Sequence, residues 1–295
     1  MSPSPAIDPR LVQSWIWTLP AMRINILRQT ARQKAMSLDQ SFIKAFHAHR
    51  AAGDLFHHGQ RQAHEIFQTS TIDALLEGIY DGEMTFGELA RHGDFGLGTF
   101  NALDGEMTAV DGAFYQIKSD GRVYSVAETM KTPFAVVMFF DPTLEVACEN
   151  ETDFAAFTAA LDAAVPSKNI FYAVKAEGRF KEIKLRSVPR QEAPYPPLVE
   201  VVGQQSVFEF QDVEGILSGF RFPDYTQGIN VPGYHLHFLS ADKRAGGHVT
   251  AFTAENAKVE IDVTSDFHME LPESGAFLEA DLTKDSADAI DKVEK

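Results

Sequence analysis

Apolar residues in TSTIDALLEGIYDG recur at helical spacing, so Ile72, Leu75 and Leu76 share one face of a short helix and Thr71 is placed to cap it. TFGELARHG predicts a second short helix. The period then changes. In FGLGTFNALDGEMTAVDGAFYQIKSDGRVYSVAE short apolar segments alternate with Asp-Gly pairs at 104–105, 111–112 and 120–121, which are hairpin signals. TPFAVVMFF, residues 132 to 140, is a continuous apolar run ending at Asp141-Pro142 and predicts a buried central strand that completes a first sheet. FAAFTAALDAAV, 154 to 165, returns to helical spacing and is stopped by Pro166-Ser167. Beyond it NIFYAVKAEG, RFKEIKLRSV, QSVFEFQD, VEGILSGFRF, the segment 233 to 249, HVTAFTAENAKVEIDV and DFHMEL predict successive strands. Three parts result: an N-terminal appendage over 1–67, a sheet domain over 68–166 and a mostly β domain over 167–295.

With 295 residues the chain can bury one large core or two modest ones. No apolar run approaches the roughly 18 residues of a membrane span. The single Cys148 excludes an intrachain disulfide and any CxxC site, so a bound metal must take nitrogen and oxygen ligands. Charge changes the picture of the front of the chain. Residues 1 to 64 carry 8 Lys and Arg against 3 Asp and Glu, and the remainder 18 against 39, so the body holds −21 of the total −16 and the front +5. An acidic body opposes nonspecific nucleic-acid binding and repels anionic substrates unless the site is locally positive. Residues 9 to 38 contain no acid but several arginines, a transit-like composition that sets a mitochondrial location beside the cytoplasmic one expected from the lone cysteine.

GYHLHFLSADKRAGGHV, residues 233 to 249, carries the chemistry. Residues 234 to 240 have strand composition, which puts His235 and His237 on one face. A reversal about Asp242 and Lys243 would set His248 opposite His237. Three neutral imidazoles suit zinc or another late divalent metal and leave a position open for substrate. The competing reading is three strand histidines satisfied in place. His47 and His49 sit at i and i+2 of an expected helix, where they diverge, and His57, His58 and His64 lie in a polar stretch; all five are expected at the surface.

Four blocks, GDFGLGTFNALDGEM (93 to 107), KTPFAVVMFFDP (131 to 142), NIFYAVKAEGRFKEIKLRSVPRQEAPYPPL (169 to 198) and NVPGYHLHFLSADKRAGGHV (230 to 249), resemble acetolactate decarboxylase in order. The similarity covers about residues 69 to 295 and leaves the appendage outside. It implies an α+β fold of two packed domains on mixed and antiparallel sheets with a few short helices. It also implies zinc-dependent conversion of 2-acetolactate to acetoin and carbon dioxide, with dimerisation as a family expectation. The family's zinc histidines match His235, His237 and His248. Its acid in the LDGEM block corresponds to Glu106, its arginine in KxR(S/T)VP to Arg186, its threonine in GLGT to Thr99 and a tail glutamate to Glu294.

Such a reaction needs an acceptor for the electron pair left when carbon dioxide departs, and the substrate's own ketone on a metal provides it without thiamine or pyridoxal. Arg186 can hold the substrate carboxylate or the developing oxyanion. Glu106 and Glu294 can orient water, ligate the metal or relay a proton, and Thr99 can orient substrate. Taken without the resemblance, Arg186 shares a strand face with Lys184 and Glu182 and would be solvated, Glu106 is a turn-flanking surface acid, and Thr99 is a β-branched strand residue. Two rivals stand beside the enzyme. A noncatalytic metal-binding module of similar fold leaves LDGEM and KLRSVP unexplained, and the body has no basic stripe for DNA. A metal-dependent β-barrel oxygenase or hydrolase would recruit a carboxylate close to the HxH and prefer iron.

Overall fold

The computed structural model describes residues 64–148, 150–283 and 286–294. Residues 1 to 63, with His47, His49, His57 and His58, lie outside the described residues. The expected boundary after residue 67 falls inside β1 (Glu65–Thr69), whose Ile66 and Phe67 are buried, so the folded body starts before it.

Local signals place the next elements. Thr71 caps α1 (Ile72–Leu76) by accepting from the Ala74 amide. After β2 (Met84–Thr85), Thr85 and Glu88 form a reciprocal capping box on α2 (Phe86–Leu89). β3 (Phe95–Thr99), β4 (Glu106–Val110), β5 (Ala113–Ile117) and β6 (Val123–Ser125) form a meander whose connections are the three Asp-Gly sites. β7 (Lys131–Thr132) pairs with β2, and β8 (Ala135–Met138) is the apolar run. Its Val136 and Met138 enter one core while Ala135 and Val137 enter another, which is why its sequence does not alternate.

β9 (Leu144–Cys148) and β10 (Thr152–Asp153) lead into α3 (Phe154–Ala164), capped by Asp153. The strands that follow are longer than their sequence breaks suggest. The expected pairs of short strands fuse into β11 (Phe171–Ser187) and, after α4 (Leu198–Val201), β12 (Ser206–Phe222). Register shifts near Phe180 and between Lys184 and Leu185 bend β11 without ending it. β13 (Gly233–Ser240), β14 (Gly246–Thr264) and β15 (Asp266–Glu270) follow, then α5 (Gly275–Glu279) and α6 (Ala287–Glu294).

Two main sheets result. The first has the order β15-β1-β8-β3-β4-β5-β6, and the second β10-β14-β11-β12-β13 with β9 beside β14. The boundary expected at 166 is crossed in both directions: β9 and β10 join the second sheet, and β15 returns to pair in parallel with β1. Because β13 also pairs with the start of β14, the strands β14, β11, β12 and β13 close into a ring. Its interior holds Phe180, Leu217, Leu236 and Phe238. A second core lies between the sheets, with Leu97, Val136, Ala173 and Phe220, and takes in α1, α4 and α6. A third lies under α2 on the far face of the first sheet. No described helix is long and apolar enough to cross a membrane.

His64, expected at the surface, is half-buried: its Nδ1 lies 2.6 Å from Oδ1 of the buried Asp262, whose Oδ2 accepts from the Asp141 amide. Burial pushes the imidazole's pKa down, but its bond to Asp262 and the charges of Asp262 and Asp141 outweigh that and raise it. A raised folded pKa contributes stability that is full below the unfolded value of about 6.5 and is lost as pH rises through the folded value. His64→Asn, which tolerates the positive φ of 63° there, is therefore expected to cost most stability below about pH 6.5 and progressively less above it. Denaturant midpoints of both proteins across that window check this; a pH-independent difference contradicts it.

Candidate metal centre

The ring of strands fixes the three imidazoles by register. His237 of β13 pairs directly with His248 of β14, and His235 follows at the same face two residues earlier. The reversing loop is held by Ser240, whose hydroxyl donates to Asp242 Oδ1 and accepts the Arg244 and Ala245 amides, while Lys243 takes a positive φ of 57°. Gly247 has a φ of +146°, and a Cβ there would lie 2.7 Å from the Arg186 carbonyl. The GGH spelling thus brings β14 close to both β13 and β11.

All three histidines are buried, and one ligand nitrogen from each lies within 4.8 Å of the others. Hydrogen bonds say which nitrogens face inward. His237 Nδ1 donates to the Met107 carbonyl at 2.8 Å, with Thr108 Oγ1 at 3.5 Å, so Nε2 is the free acceptor. That Nε2 is buried with no hydrogen-bond partner among the described residues. A guanidinium only donates, so His248 Nε2 accepts from Arg186 Nη2 at 3.0 Å, leaving His248 Nδ1 3.2 Å from His235 Nε2. With its Nε2 accepting, a neutral His248 carries its proton on Nδ1 and donates it to His235 Nε2, so metal ligation through either nitrogen of His248 requires this hydrogen-bonded set to rearrange. Burial, then the Arg186 charge, pushes His235 down to about 3. Burial, then the His235 charge, holds His237 well below its ordinary value, against the opposing bond to Met107. Both are neutral at physiological pH, the form that ligates a metal. An unpartnered buried nitrogen and an all-nitrogen donor set fit a divalent ion of the zinc class.

The remaining expected residues gather around this triad, with one exception. Arg186 pairs with His248 across β11 and β14. It is 6% exposed, unlike the exposed Lys184 and Glu182 with which it was expected to share a solvated face. The reason lies outside the strand: beyond the register shift the end of β11 passes against the first sheet, where Ser187 Oγ donates to the Ile117 carbonyl. Gln205 Oε1 accepts from Arg186 Nη1 at 3.3 Å. Glu106 is not a surface acid either. Its Oε2 lies 3.8 Å from His237 Nε2, and its side chain is 13% exposed.

Thr99 pairs with Glu106, and its hydroxyl donates to the Gly105 carbonyl at 2.7 Å, so it shapes the turn carrying Glu106 while also lining the pocket. Gly105 has a φ of +88°, and a Cβ there would meet the Ile117 carbonyl at 2.2 Å. Asp104 anchors the same turn through Lys118 Nζ at 2.7 Å. Glu294 ends α6, one residue after Val293, which lines the pocket; the Glu294 side chain lies outside the described residues. The Met107 carbonyl, Gln205 and the apolar wall of Leu75, Leu198, Val202 and Val293 carry no sequence signal of a site.

A cavity between two packed β layers, with three buried imidazoles converging beside a buried guanidinium and a carboxylate, defines a protein with an enzyme-like pocket that could hold a metal ion. The matching proteins narrow this class. The chain matches the family described as Alpha-acetolactate decarboxylase over residues 66–284. It is 59% identical over 259 residues to the alpha-acetolactate decarboxylase of Methylococcus capsulatus, covering 88% of this chain and 100% of that one. It is 50% identical over 230 residues to that of Methanosarcina mazei, covering 78% and 80%. The crystal structure of alpha-acetolactate decarboxylase from Bacillus subtilis strain 168 aligns with a TM-score of 0.77 at 38% identity, over 78% of this chain and 99% of that one. The chain belongs to the alpha-acetolactate decarboxylase family.

Loss of one imidazole is expected to empty the centre without unfolding the ring. His237→Ala should retain less than about a tenth of the bound divalent metal after dialysis, with unchanged circular dichroism. A variant that keeps a full complement of metal contradicts the ligand assignment.

Proposed function

We propose that the chain converts 2-acetolactate to acetoin and carbon dioxide at the three-histidine centre, with zinc held by His235, His237 and His248. The observation that carries this reading is the convergence of three buried imidazoles with the Arg186 guanidinium in one pocket, in a chain of this family. When bound, zinc supplies an electrophile that draws electron density from the substrate ketone.

The chain's own residues do the rest. Arg186, buried and donating to Gln205, is held in the pocket, so its fork meets the substrate carboxylate with little loss of side-chain freedom. The carbon–carbon bond to the carboxylate breaks, carbon dioxide leaves with the carboxylate oxygens, and the bonding pair passes toward the ketone oxygen. Acetoin then requires a proton on the carbon that lost carbon dioxide. Glu106, with its Oε2 beside His237, is the acid we assign to deliver that proton and to recover one from solvent. The apolar wall limits water at the site, strengthening each charge interaction inside it. Asp104, Gly105 and Thr99 hold the Glu106 turn.

Arg186→Ala is expected to retain its metal while kcat/KM for 2-acetolactate falls about a hundredfold or more, and Arg186→Lys is expected to recover only part of the loss. Metal content and acetoin formation on the same samples check this; full activity in Arg186→Ala sinks the role of that residue.

A further inference from the structure

The pocket has a polar side and an apolar side, and a small hydroxy keto acid presents few atoms to the second. The carbon bearing the carboxylate and hydroxyl is tetrahedral. Three of its substituents, the carboxylate, the hydroxyl and the acyl group, carry oxygens that belong with Arg186 and the imidazoles. Its fourth substituent, an alkyl group, must point away from them. The same pocket is also lined by side chains with no hydrogen-bonding groups, Leu75, Phe134, Leu198, Val202 and Val293 among them, which can receive it.

Not every residue of that wall can set a size limit independently. Phe134 precedes the central strand β8 and Leu75 belongs to α1, both packed in the core between the sheets. Val293 lies in that core too, but on an element outside both sheets. It belongs to α6, an eight-residue helix that meets the body through Ile290 and Val293, each 3% exposed, and turns Asp288, Asp291 and Lys292 to solvent. The helix packs against α4, so Val293 enters the pocket beside Leu198 and Val202. A change of volume at Val293 therefore alters the pocket from an added element, leaving both sheets in place.

We propose that Val293, backed by Leu198 and Val202, is a specificity-determining residue that sets how large an alkyl group the substrate can carry at the carbon bearing its carboxylate. This rests on the decarboxylase reading. The test compares kcat/KM for 2-acetolactate with that for its 2-ethyl and 2-propyl homologues, in the unmodified protein, Val293→Ala, Val293→Ile and Val293→Phe, with metal content and circular dichroism recorded for each. Val293→Ala should raise the propyl-to-methyl ratio about tenfold, and Val293→Phe should lower the ethyl-to-methyl ratio by a similar factor, as expected for one to a few methylenes in an apolar pocket. Val293→Ile adds a single methylene and should shift the ratio in the direction of Val293→Phe, so the comparison survives if the larger variant does not fold. Ratios within about twofold of the unmodified protein in Val293→Ala and Val293→Ile would overturn the assignment while leaving the decarboxylase reading intact. An unmodified protein that carries metal but turns over none of the three acids would overturn that reading, and the assignment with it.

Discussion

Two cross-strand pairings govern this molecule: His237 against His248, and His248 against Arg186. Strand side chains alternate with a period of two, so a slip of one residue would send the imidazoles into the apolar interior of the ring and expose Leu236 and Phe238 on the site face. The closed ring suppresses that slip, because at His248 β14 is paired with both β11 and β13. The glycine before His248 permits the double approach. Register, closure and ligand geometry are therefore one constraint.

Burial gives this constraint its chemistry. Imidazoles in water titrate near pH 6.5, whereas desolvation and the neighbouring guanidinium keep His235 and His237 neutral far below that. The Met107 carbonyl sets the His237 tautomer from the first sheet, while His237 itself belongs to the second. The site consequently exists only where the two sheets meet. It also reconciles an acidic body with an anionic substrate, since Arg186 is a positive charge held inside an otherwise negative surface.

Local signals were legible where the physics is local. The Thr71 cap, the short helix in TFGELARHG, the Asp-Gly hairpins, the buried strand at 135 to 138 and the pairing of His248 with His237 follow from short-range pattern. What depends on distant packing was not. Alternation put Arg186 with Lys184 and Glu182, and only the approach of the first sheet buries it. The return of β15 to β1 joins residues about 200 positions apart, a pairing no local pattern encodes. Glu106 looked like a turn acid because its partner, His237, is 131 positions away. The pocket wall used residue types indistinguishable from core.

The central claim is that a metal on these three imidazoles and decarboxylation are a single property. The most direct measurement is acetoin release from 2-acetolactate by the purified protein, before and after chelation and after zinc is restored, with zinc determined on each sample. Acetoin production that rises and falls with zinc, at about one ion per chain, is the expected result. Zinc bound at that level without acetoin, or acetoin formation indifferent to chelation, would contradict the account.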